Sequence, residues 1–167
     1  MNMQTRLGLA TPLVRLSRLS QNLGVDLWVK RDDLFPLTGG GNKARKVKYI
    51  AREVEHQGAD SVVTTGGLQS NHARAVALMA AEHGWKCKLV LHGEESQLDH
   101  PKGNLLLMYL TGADIVVVPA ERIGPTMKDA MHEFVCQGHK PYEIPGGGHM
   151  LAGSIAYAEA VKELEYQ

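Results

Sequence analysis

Residues 61–72 read SVVTTGGLQSNH, a β-branched run followed by two glycines and a Ser-Asn-His triplet. The β-branched run, 61–65, favours a β-strand, and a helical pattern then covers 70–83. Ser70 or Asn71 is placed to cap that helix, because short polar side chains accept hydrogen bonds from its first free N–H groups. The stretch therefore predicts a strand, a glycine turn and a helix, and the free N–H groups of such a turn favour an anion.

Short apolar runs and helical patterns alternate on both sides of this unit. Strands are predicted at 27–29, 61–65, 88–91, 115–118 and 142–144. Helices are predicted at 42–56, 70–83, 103–110, 126–137 and 151–164. This alternation is typical of an α/β fold, with a mostly parallel sheet and helices on both faces.

The composition restricts the classes of partner. The chain has 167 residues, enough for one compact domain with a core. Basic and acidic residues number 18 each, the formal net charge is zero and no run of Lys or Arg occurs, so we expect no nucleic acid partner. Cys87 and Cys136 lack a CxxC spacing and are predicted to be reduced core thiols, as in a cytosolic protein.

The sequence shows no targeting or membrane signal. Residues 1–10 lack the continuous apolar stretch of a signal peptide. No segment reaches the ~20 apolar residues that a membrane span needs. We therefore expect a soluble, cytoplasmic protein without a membrane partner.

A second glycine turn follows the strand predicted at 142–144, where residues 145–149 read PGGGH. Because the carboxyl ends of parallel strands meet at one edge of a sheet, this turn and Gly66-Gly67 are expected to face the same crevice. Neither turn matches GxGxxG or the P-loop pattern GxxxxGKS/T, so dinucleotide and P-loop sites have little support. An unrelated nucleotide-binding α/β domain is therefore a weak alternative.

Eight histidines raise the question of a metal site. His132 and Glu133 begin a pattern close to HExxH, with His139 further along the chain. The second histidine of that motif is replaced by Cys136, so the zinc motif is incomplete and we predict no metal ligands.

Residues 40–45 read GGNKAR and lead into the helix predicted at 42–56. The apolar stripe of that helix comprises Lys43, Val47, Ile50 and Val54, and the opposite side carries Arg45, Lys48 and Arg52. A lysine on the apolar side of a first turn meets the positive end of the helix dipole and loses water, so the uncharged amine is favoured. An uncharged amine is a nucleophile that condenses with carbonyls, including the aldehyde of pyridoxal phosphate. On spacing alone, a structural lysine whose head reaches solvent remains the alternative.

Five motifs follow one another along the chain: TPL at 11–13, WVKRDD at 28–33, GGNKARK at 40–46, TGGLQSNH at 65–72, and IP at 144–145 with its glycines. Together they resemble the fold-type II pyridoxal-phosphate enzymes, in particular the group of D-cysteine desulfhydrase and 1-aminocyclopropane-1-carboxylate deaminase. Several motifs in the right order make the likeness specific. The resemblance implies pyridoxal 5′-phosphate as the cofactor and a small amino acid as the substrate.

The resemblance assigns the cofactor to residues of two motifs. Lys43 would carry the cofactor as a Schiff base and act as the base that removes the Cα proton. Asn42 and Asn71 would also bind the cofactor, with Asn71 hydrogen-bonded to the 3′-oxygen of its ring.

The same resemblance assigns the substrate to the turn before the helix at 70–83. Gln69, Ser70 and His72 would hold the substrate carboxylate at the helix N-terminus. Ser70 is also a candidate catalytic hydroxyl. Histidine at position 72 resembles the desulfhydrase branch more than the cyclopropane deaminases, which typically carry glutamine there.

The resemblance covers about the first half of a family member and divides the chain into three parts. Residues 1–50 correspond to the N-terminal segment of a large domain, 51–161 to a small α/β domain, and 162–167 to the start of the return to the large domain. The glycine-rich loop that grips the cofactor phosphate and the group at the pyridine nitrogen are expected outside these residues.

The predicted function is a pyridoxal-phosphate-dependent lyase or deaminase of the desulfhydrase type, in which α,β-elimination yields a keto acid and ammonia. As a half-length or split chain, it would work with a complementary C-terminal-half chain or as a homo-oligomer. The alternative is a non-catalytic α/β remnant or binding module that has lost the phosphate site.

Overall fold

The computed structural model describes residues 10–36 and 38–167. The strands in that part are β1 (Leu13–Arg15), β2 (Trp28–Lys30), β3 (Ser61–Gly67), β4 (Lys86–His92), β5 (Asp114–Val117) and β6 (Pro141–Ile144). The α-helices are α1 (Ser17–Leu23), α2 (Gly41–His56), α3 (Asn71–His83), α4 (Gly103–Leu110), α5 (Ile123–Cys136) and α6 (Leu151–Glu165). None of these helices is long and apolar enough to cross a membrane. The signal-peptide prediction for residues 1–10 lies outside the described residues, apart from Ala10.

Four of the strands form a parallel sheet in the order β5-β4-β3-β6. β3 is central, since its Val62 pairs with Cys87 of β4 on one side and with Tyr142 of β6 on the other. β4 also pairs with β5, in the same direction. The predicted α/β fold with a mostly parallel sheet is therefore confirmed.

Alternate residues of the central strands face opposite sides of the sheet. Val62 and Leu89 belong to the larger core, which also contains buried residues of α2, α3 and α4. Val63 and Val90 belong to a second core, in which they pack against buried residues of α5. Helices cover both faces, as predicted, because successive side chains of a strand point to opposite sides.

The first predicted strand, 27–29, does not join the parallel sheet. Its counterpart β2 pairs antiparallel with β1, and Val14 lies beside Val29. The sequence does not predict β1 or α1, because both are short and largely exposed and so show no apolar period. α1 ends at Gly24, whose φ of +67° lies in the left-handed region that glycine adopts readily.

Arg45 lies on the side of α2 that carries the charged residues, yet its side chain is only 1% exposed. α6 packs along this side of α2 and brings Glu163 to Arg45, opposite Asp32. Arg45 donates to Asp32 at 2.7 and 2.9 Å and to Glu163 at 2.7 and 3.0 Å. An apolar stripe identifies one buried side of a helix, but it gives no sign of a second side that is buried by ion pairs.

Burial opposes every charge in this group, and the ion pairs outweigh it. Burial alone would lower the pKa of Arg45, but its hydrogen bonds to Asp32 and Glu163 raise that pKa. Burial alone would raise the pKa of Asp32, but Arg45 and Thr11 hold it below its usual value. Hydrogen bonds from Arg45 and Lys30 lower the pKa of Glu163 in the same way. All three groups are therefore ionised at neutral pH.

The group extends to the last residue of the chain. Lys30 Nζ lies 2.8 Å from Glu163 and donates to the Thr11 carbonyl and to Gln167, both at 2.7 Å. Gln167 in turn donates to the Thr11 carbonyl at 3.0 Å. We call Thr11, Lys30, Asp32, Arg45, Glu163 and Gln167 the Arg45 cluster. It joins β2 and the segments on either side of the β1–β2 pair to α2 and α6.

The two cysteines are free and differ in exposure. Cys87 is a core thiol, as predicted, and burial raises its pKa to about 12. Cys136 is exposed at the end of α5, so the prediction of a core position is wrong for this residue. α5 turns only one side to the sheet, and Cys136 lies outside that side.

Candidate active site

The carboxyl ends of β3, β4 and β6 open into a cleft of about 590 Å³. It is lined by Lys43, Thr65, Gly66, Gln69, Ser70, Asn71, His72, His92, Ile123, Gly146 and Gly147. Both glycine turns contribute to this lining, so the prediction that they face one crevice is confirmed. The cleft lies where an open α/β sheet binds its ligands.

Lys43 reaches the cleft from the first turn of α2. Its side chain is half-buried, and Nζ donates to the carbonyl of Gly147 at 3.3 Å. The stripe that predicts this direction is real, since Val47, Ile50 and Val54 of the same helix are buried. The sequence thus identifies correctly the side of α2 that faces the second glycine turn.

Lys46 converges on the same carbonyl. Its Nζ lies 3.1 Å from the oxygen of Gly147, so two lysine side chains share one acceptor. Burial and the neighbouring charge of Lys43 lower the pKa of Lys46. Lys46 is not among the predicted site residues, although its place one turn after Lys43 is the signal that would reveal it.

His72 is 2% exposed and is fixed by Thr64. The Thr64 hydroxyl lies 2.7 Å from the Ile144 carbonyl and 3.0 Å from His72 Nε2. A carbonyl only accepts, so the hydroxyl proton goes to Ile144, and His72 Nε2–H must then be the donor to Thr64.

The charge state of His72 follows from its surroundings. Burial, together with the charges of Lys43, Lys46 and His149, lowers its pKa to about 4. His72 is therefore neutral at pH 7 and carries its proton on Nε2. Nδ1 is buried and unpartnered among the described residues, and in this tautomer it accepts but does not donate, so it cannot hydrogen-bond to a carboxylate as the sequence predicts.

Of the two predicted cap residues, Ser70 and Asn71, it is Ser70 that caps α3. Its Oγ accepts a hydrogen bond from the Ala73 amide at 3.1 Å, which leaves the hydroxyl proton of Ser70 free to donate. Gly66 makes room for this arrangement, because a Cβ at position 66 would lie 2.6 Å from the Ser70 Oγ. The first glycine of the turn is thus required by the cap of the next helix.

Gln69 lines the cleft, but both ends of its side-chain amide are engaged by the start of α4. Its Oε1 accepts from the Asn104 amide at 3.0 Å, and its Nε2 donates to the Lys102 carbonyl at 3.0 Å. The Asn104 side chain donates to the Gln69 carbonyl and to Asn71 Oδ1, both at 2.9 Å. Asn104 therefore holds two of the predicted site residues, and no sequence motif pointed to it.

Asn42 is exposed and does not line the main cleft. It borders a smaller cavity of about 230 Å³ together with the glycines before α2 and Arg74. Lys43 and Asn71 line both cavities, so the two are neighbours. Of the predicted site residues, Lys43, Gln69, Ser70, Asn71 and His72 come together in the main cleft.

Three further residues line the cleft and are not among the predicted site residues, although one of them, His92, is predicted to lie in a loop. Thr65 and His92 lie at the carboxyl ends of β3 and β4, a position that is itself the signal for both. The Thr65 hydroxyl oxygen is buried and has no hydrogen-bond partner among the described residues. Ile123 comes from the start of α5, and nothing in the sequence distinguishes it from a core residue.

Of the residues of the incomplete HExxH pattern, His132 and Cys136 are in contact, but His139 is turned to another partner. Cys136 Sγ lies 3.6 Å from a ring nitrogen of His132, one turn away on α5. His139 instead contacts Asp60, with 3.0 Å between Nδ1 and the carboxylate. In the part of the chain that the structure describes, no three side chains of His, Cys, Asp or Glu form a group that could hold a metal ion.

The sequence matches known proteins along almost its whole length. A family model described as pyridoxal-phosphate dependent enzyme matches residues 5–167. D-cysteine desulfhydrases of Yersinia enterocolitica and Serratia proteamaculans are 36% and 39% identical to it, over 96% of this chain. The chain spans about half the length of these curated relatives, 50% of each.

Solved structures agree with the sequence matches. A crystal structure of an ACC deaminase homologue has a TM-score of 0.86 and 37% identity, and the match covers 95% of this chain and 48% of that one. A crystal structure of T.th. threonine deaminase, at 22% identity and a TM-score of 0.70, shares the fold over 94% of this chain and 46% of its own. The predicted resemblance to fold-type II pyridoxal-phosphate enzymes is confirmed. The chain belongs to the family of pyridoxal-phosphate dependent enzymes.

Proposed function

We propose that the protein is a pyridoxal-phosphate-dependent lyase or deaminase of a small amino acid, with a D-cysteine desulfhydrase-like α,β-elimination that yields a keto acid and ammonia. The observation that carries this proposal is the position of Lys43. Its half-buried amine lies 3.3 Å from the Gly147 carbonyl, on the wall of a cleft that both glycine turns enclose. Three D-cysteine desulfhydrases are 36–39% identical to the chain over the aligned part, which is 50% of each of them, and this supports the substrate class.

The residues of the cleft fit pyridoxal phosphate. The volume of about 590 Å³ is within the usual range for a small-molecule site. Two lysines on one carbonyl give the cleft a positive character that suits an anionic cofactor. The buried, unpartnered hydroxyl oxygen of Thr65 can accept or donate one more hydrogen bond. We propose that Lys43, Asn71 and the neighbouring Asn42 hold the cofactor.

The chemistry is divided between the cofactor and the chain. When it is bound, pyridoxal phosphate supplies an electron sink for the negative charge that develops at the substrate Cα. Lys43 would hold the cofactor through its primary amine and, once the substrate amine has taken its place, the freed amine would take the proton from Cα.

The substrate is proposed to lie at the N-terminus of α3. Free N–H groups of a helix N-terminus attract a carboxylate, and the hydroxyl proton of Ser70 adds a donor at the same place. Gln69 positions the turn through its contacts with the start of α4. We propose that its predicted contact with the carboxylate is made by the N–H groups of Gln69 that these hydrogen bonds leave free. Because the unprotonated Nδ1 of His72 can only accept, its proposed contact is with a donor group of the substrate and not with the carboxylate.

The division into residues 1–50, 51–161 and 162–167 is part of the proposal. The Arg45 cluster supports it, since Glu163 and Gln167 of the last part contact Lys30 and Thr11 of the first part directly. Large apolar side chains are exposed on α1 and on α6, among them Leu23 at 60% and Val161 at 56%. We propose that the other half of the family fold covers them, within one polypeptide, as a complementary chain or in a homo-oligomer. The proposed location is the cytoplasm.

A labelling experiment tests the proposal in the full chain as it is encoded. Pyridoxal phosphate is added, the visible absorption band is recorded, and borohydride reduction followed by mass spectrometry locates the attached cofactor. We expect attachment at Lys43, and loss of the band in Lys43→Ala but not in Lys128→Ala, which removes an exposed lysine of α5. Production of pyruvate, ammonia and hydrogen sulfide from D-cysteine and water then tests the reaction.

Two outcomes contradict the proposal. Equal attachment at Lys43 and Lys128 would show that Lys43 is an ordinary surface amine, and would favour a non-catalytic remnant or binding module. Selective attachment at Lys43 without turnover of D-cysteine or another small amino acid would retain the cofactor site and reject the lyase.

A further inference from the structure

Asn104 lies at the start of α4, and its hydrogen bonds determine which end of its side-chain amide is the NH2 group. Its amide group lies 2.9 Å from the backbone carbonyl of Gln69. A backbone carbonyl only accepts, so the atom of Asn104 that faces it must be the NH2 group. The orientation of this amide is thus fixed by the backbone and not by a choice between its two ends.

The orientation of Asn71 follows from that of Asn104. The same NH2 group of Asn104 lies 2.9 Å from the Asn71 side chain, so Asn71 must present its oxygen there. The NH2 group of Asn71 is then the end that remains for the two cavities that Asn71 lines. A donor, and not an acceptor, is offered to whatever binds beside Lys43.

Gln69 and Gly103 hold Asn104 in this position. The backbone amide of Asn104 donates to Gln69 Oε1 at 3.0 Å, and the other end of the Gln69 amide donates to Lys102. Gly103 has a φ of +57°, and a Cβ there would lie 2.7 Å from Gln69 Oε1. The start of α4 is therefore shaped to receive the Gln69 side chain, which locks α4 to the turn before α3.

We propose that Asn104 is a positioning residue of the cleft, which turns the Asn71 amide so that its NH2 group donates to an acceptor oxygen of the bound ligand. With the function proposed above, on which this step rests, the acceptor is the 3′-oxygen of pyridoxal phosphate. Asn104 acts through Asn71 and does not itself line the cleft. The Gln69 carbonyl orients Asn104, Asn104 orients Asn71, and Asn71 contacts the ligand.

The first test needs no cofactor. In ¹⁵N-labelled protein, the side-chain NH2 signals of Asn71 and Asn104 are assigned and their exchange with solvent is measured. We expect slow exchange for both Asn104 protons, and a shift of the Asn71 signals in Asn104→Ala but not in Asn22→Ala, which changes an exposed asparagine of α1. Rapid exchange of both Asn104 protons, or unchanged Asn71 signals in Asn104→Ala, would overturn the proposal.

The second test uses Asn104→Asp, which keeps the size of the side chain and replaces its donor by an acceptor. Asn71 should then rotate and donate to the new carboxylate, so that its oxygen faces the cleft. We expect the affinity for pyridoxal phosphate to fall about tenfold or more, as for the loss of a hydrogen bond to a charged acceptor. The pH at which the visible band of the bound cofactor changes should also rise, because the NH2 donor favours the deprotonated 3′-oxygen and is lost in this variant.

The two proposals fail in different ways. Wild-type affinity and an unchanged pH profile in Asn104→Asp would overturn the role of Asn104 while leaving the attachment of the cofactor at Lys43 intact. Failure of the wild-type protein to bind the cofactor at Lys43 would reject the proposed function, and the amide exchange measurement would still decide the orientation of Asn71. In Asn71→Ala, a further Asn104→Ala change should cost little affinity, because both act through one contact.

Discussion

Thr64 determines what His72 can do. The threonine has one hydroxyl proton, and the Ile144 carbonyl at 2.7 Å takes it, so His72 must supply the proton of the second hydrogen bond. A protonated imidazolium would be buried beside two lysines, which is why the pKa falls to about 4. One hydroxyl on the central strand thus fixes both the tautomer and the charge of a residue in the cleft.

This arrangement predicts how stability depends on pH. In the unfolded chain His72 binds a proton below about pH 6.5, whereas in the folded chain it does so only near pH 4. The stabilising effect of the neutral ring is therefore complete above pH 6.5 and is lost as the pH falls toward 4. From pH 7.5 to 5, urea unfolding should show about 2 kcal/mol more loss in the wild type than in His72→Gln, which cannot titrate. Parallel pH profiles of the two proteins would contradict the assignment.

Residues of the cleft and of the Arg45 cluster differ in how far the sequence reveals their positions. Lys43 could be assigned to the cleft because its apolar stripe is a local property of one helix. Arg45 could not, since its burial depends on Asp32 and on Glu163, which is 118 residues away. Asn104 could not either, because the contacts that make it important join two segments that are more than 30 residues apart, with Asn71 and Asn104 separated by 33.

The turn from β3 to α3 is the element on which the cleft depends. It must bring the strand end, the helix cap and the Gly67–Ser70 hydrogen bond of 2.9 Å together in four residues. Gly66 has an ordinary backbone conformation, so its glycine is required only by space: a Cβ would lie 2.6 Å from Ser70 Oγ and 2.7 Å from Ser70 Cβ. The sequence predicts this glycine turn, but its pattern indicates anion binding as the role of the glycines and not the space that Ser70 needs.

We expect Gly66→Ala to displace Ser70 and release the cap of α3. Overpacking together with a lost cap should lower the free energy of unfolding by about 2 kcal/mol or more. Gly124→Ala is the matched control, because position 124 of α5 has no atom within 4 Å of the added Cβ. That variant should be unchanged or gain up to about 1 kcal/mol from the better helix propensity of alanine. Chemical denaturation compares the two, and equal effects would contradict the steric argument.

Element boundaries follow the sequence closely where an apolar period is present. The helix predicted at 103–110 agrees with α4 at both ends, and the strand at 61–65 is extended by two glycines in β3. α5 begins three residues before its prediction, because the sequence places Gly124 and Pro125 there and both weaken a helical pattern. The β1–β2 pair forms a separate sheet, and its residues are exposed or half-buried, so they show no apolar period.

At the scale of the whole molecule, the Arg45 cluster holds distant parts of the chain together. Arg45 is 1% exposed and its carboxylate partners 19% and 17%, so the charges are largely removed from water. Replacing Arg45 would leave two carboxylates without their main partner in a buried place. The α/β fold and the order of its layers were predictable from local patterns, but this link was not, because it involves charged residues that a sequence pattern assigns to the surface.

Arg45→Met should therefore destabilise the protein strongly. Removal of one partner from a buried ion pair costs about 3–5 kcal/mol, measured as the change in the free energy of unfolding. Arg15→Met provides the control, since Arg15 pairs with Asp26 at 2.6 Å but both side chains are about half exposed, at 48% and 60%. That change should cost less than about 1 kcal/mol. Similar losses in the two variants would show that the Arg45 cluster contributes no more than an exposed pair.

The two cysteines differ in exposure, so a probe can be attached selectively to one of them. Cys87 is buried with a pKa of about 12 and resists alkylation, whereas Cys136 is exposed at the far end of α5. Ile123, the first residue of α5, lines the cleft, so the length of one helix, about 20 Å, separates that wall from the thiol. A maleimide dye on Cys136 would sit within energy-transfer range of a chromophore bound in the cleft without obstructing it, and its quenching would report occupancy in real time.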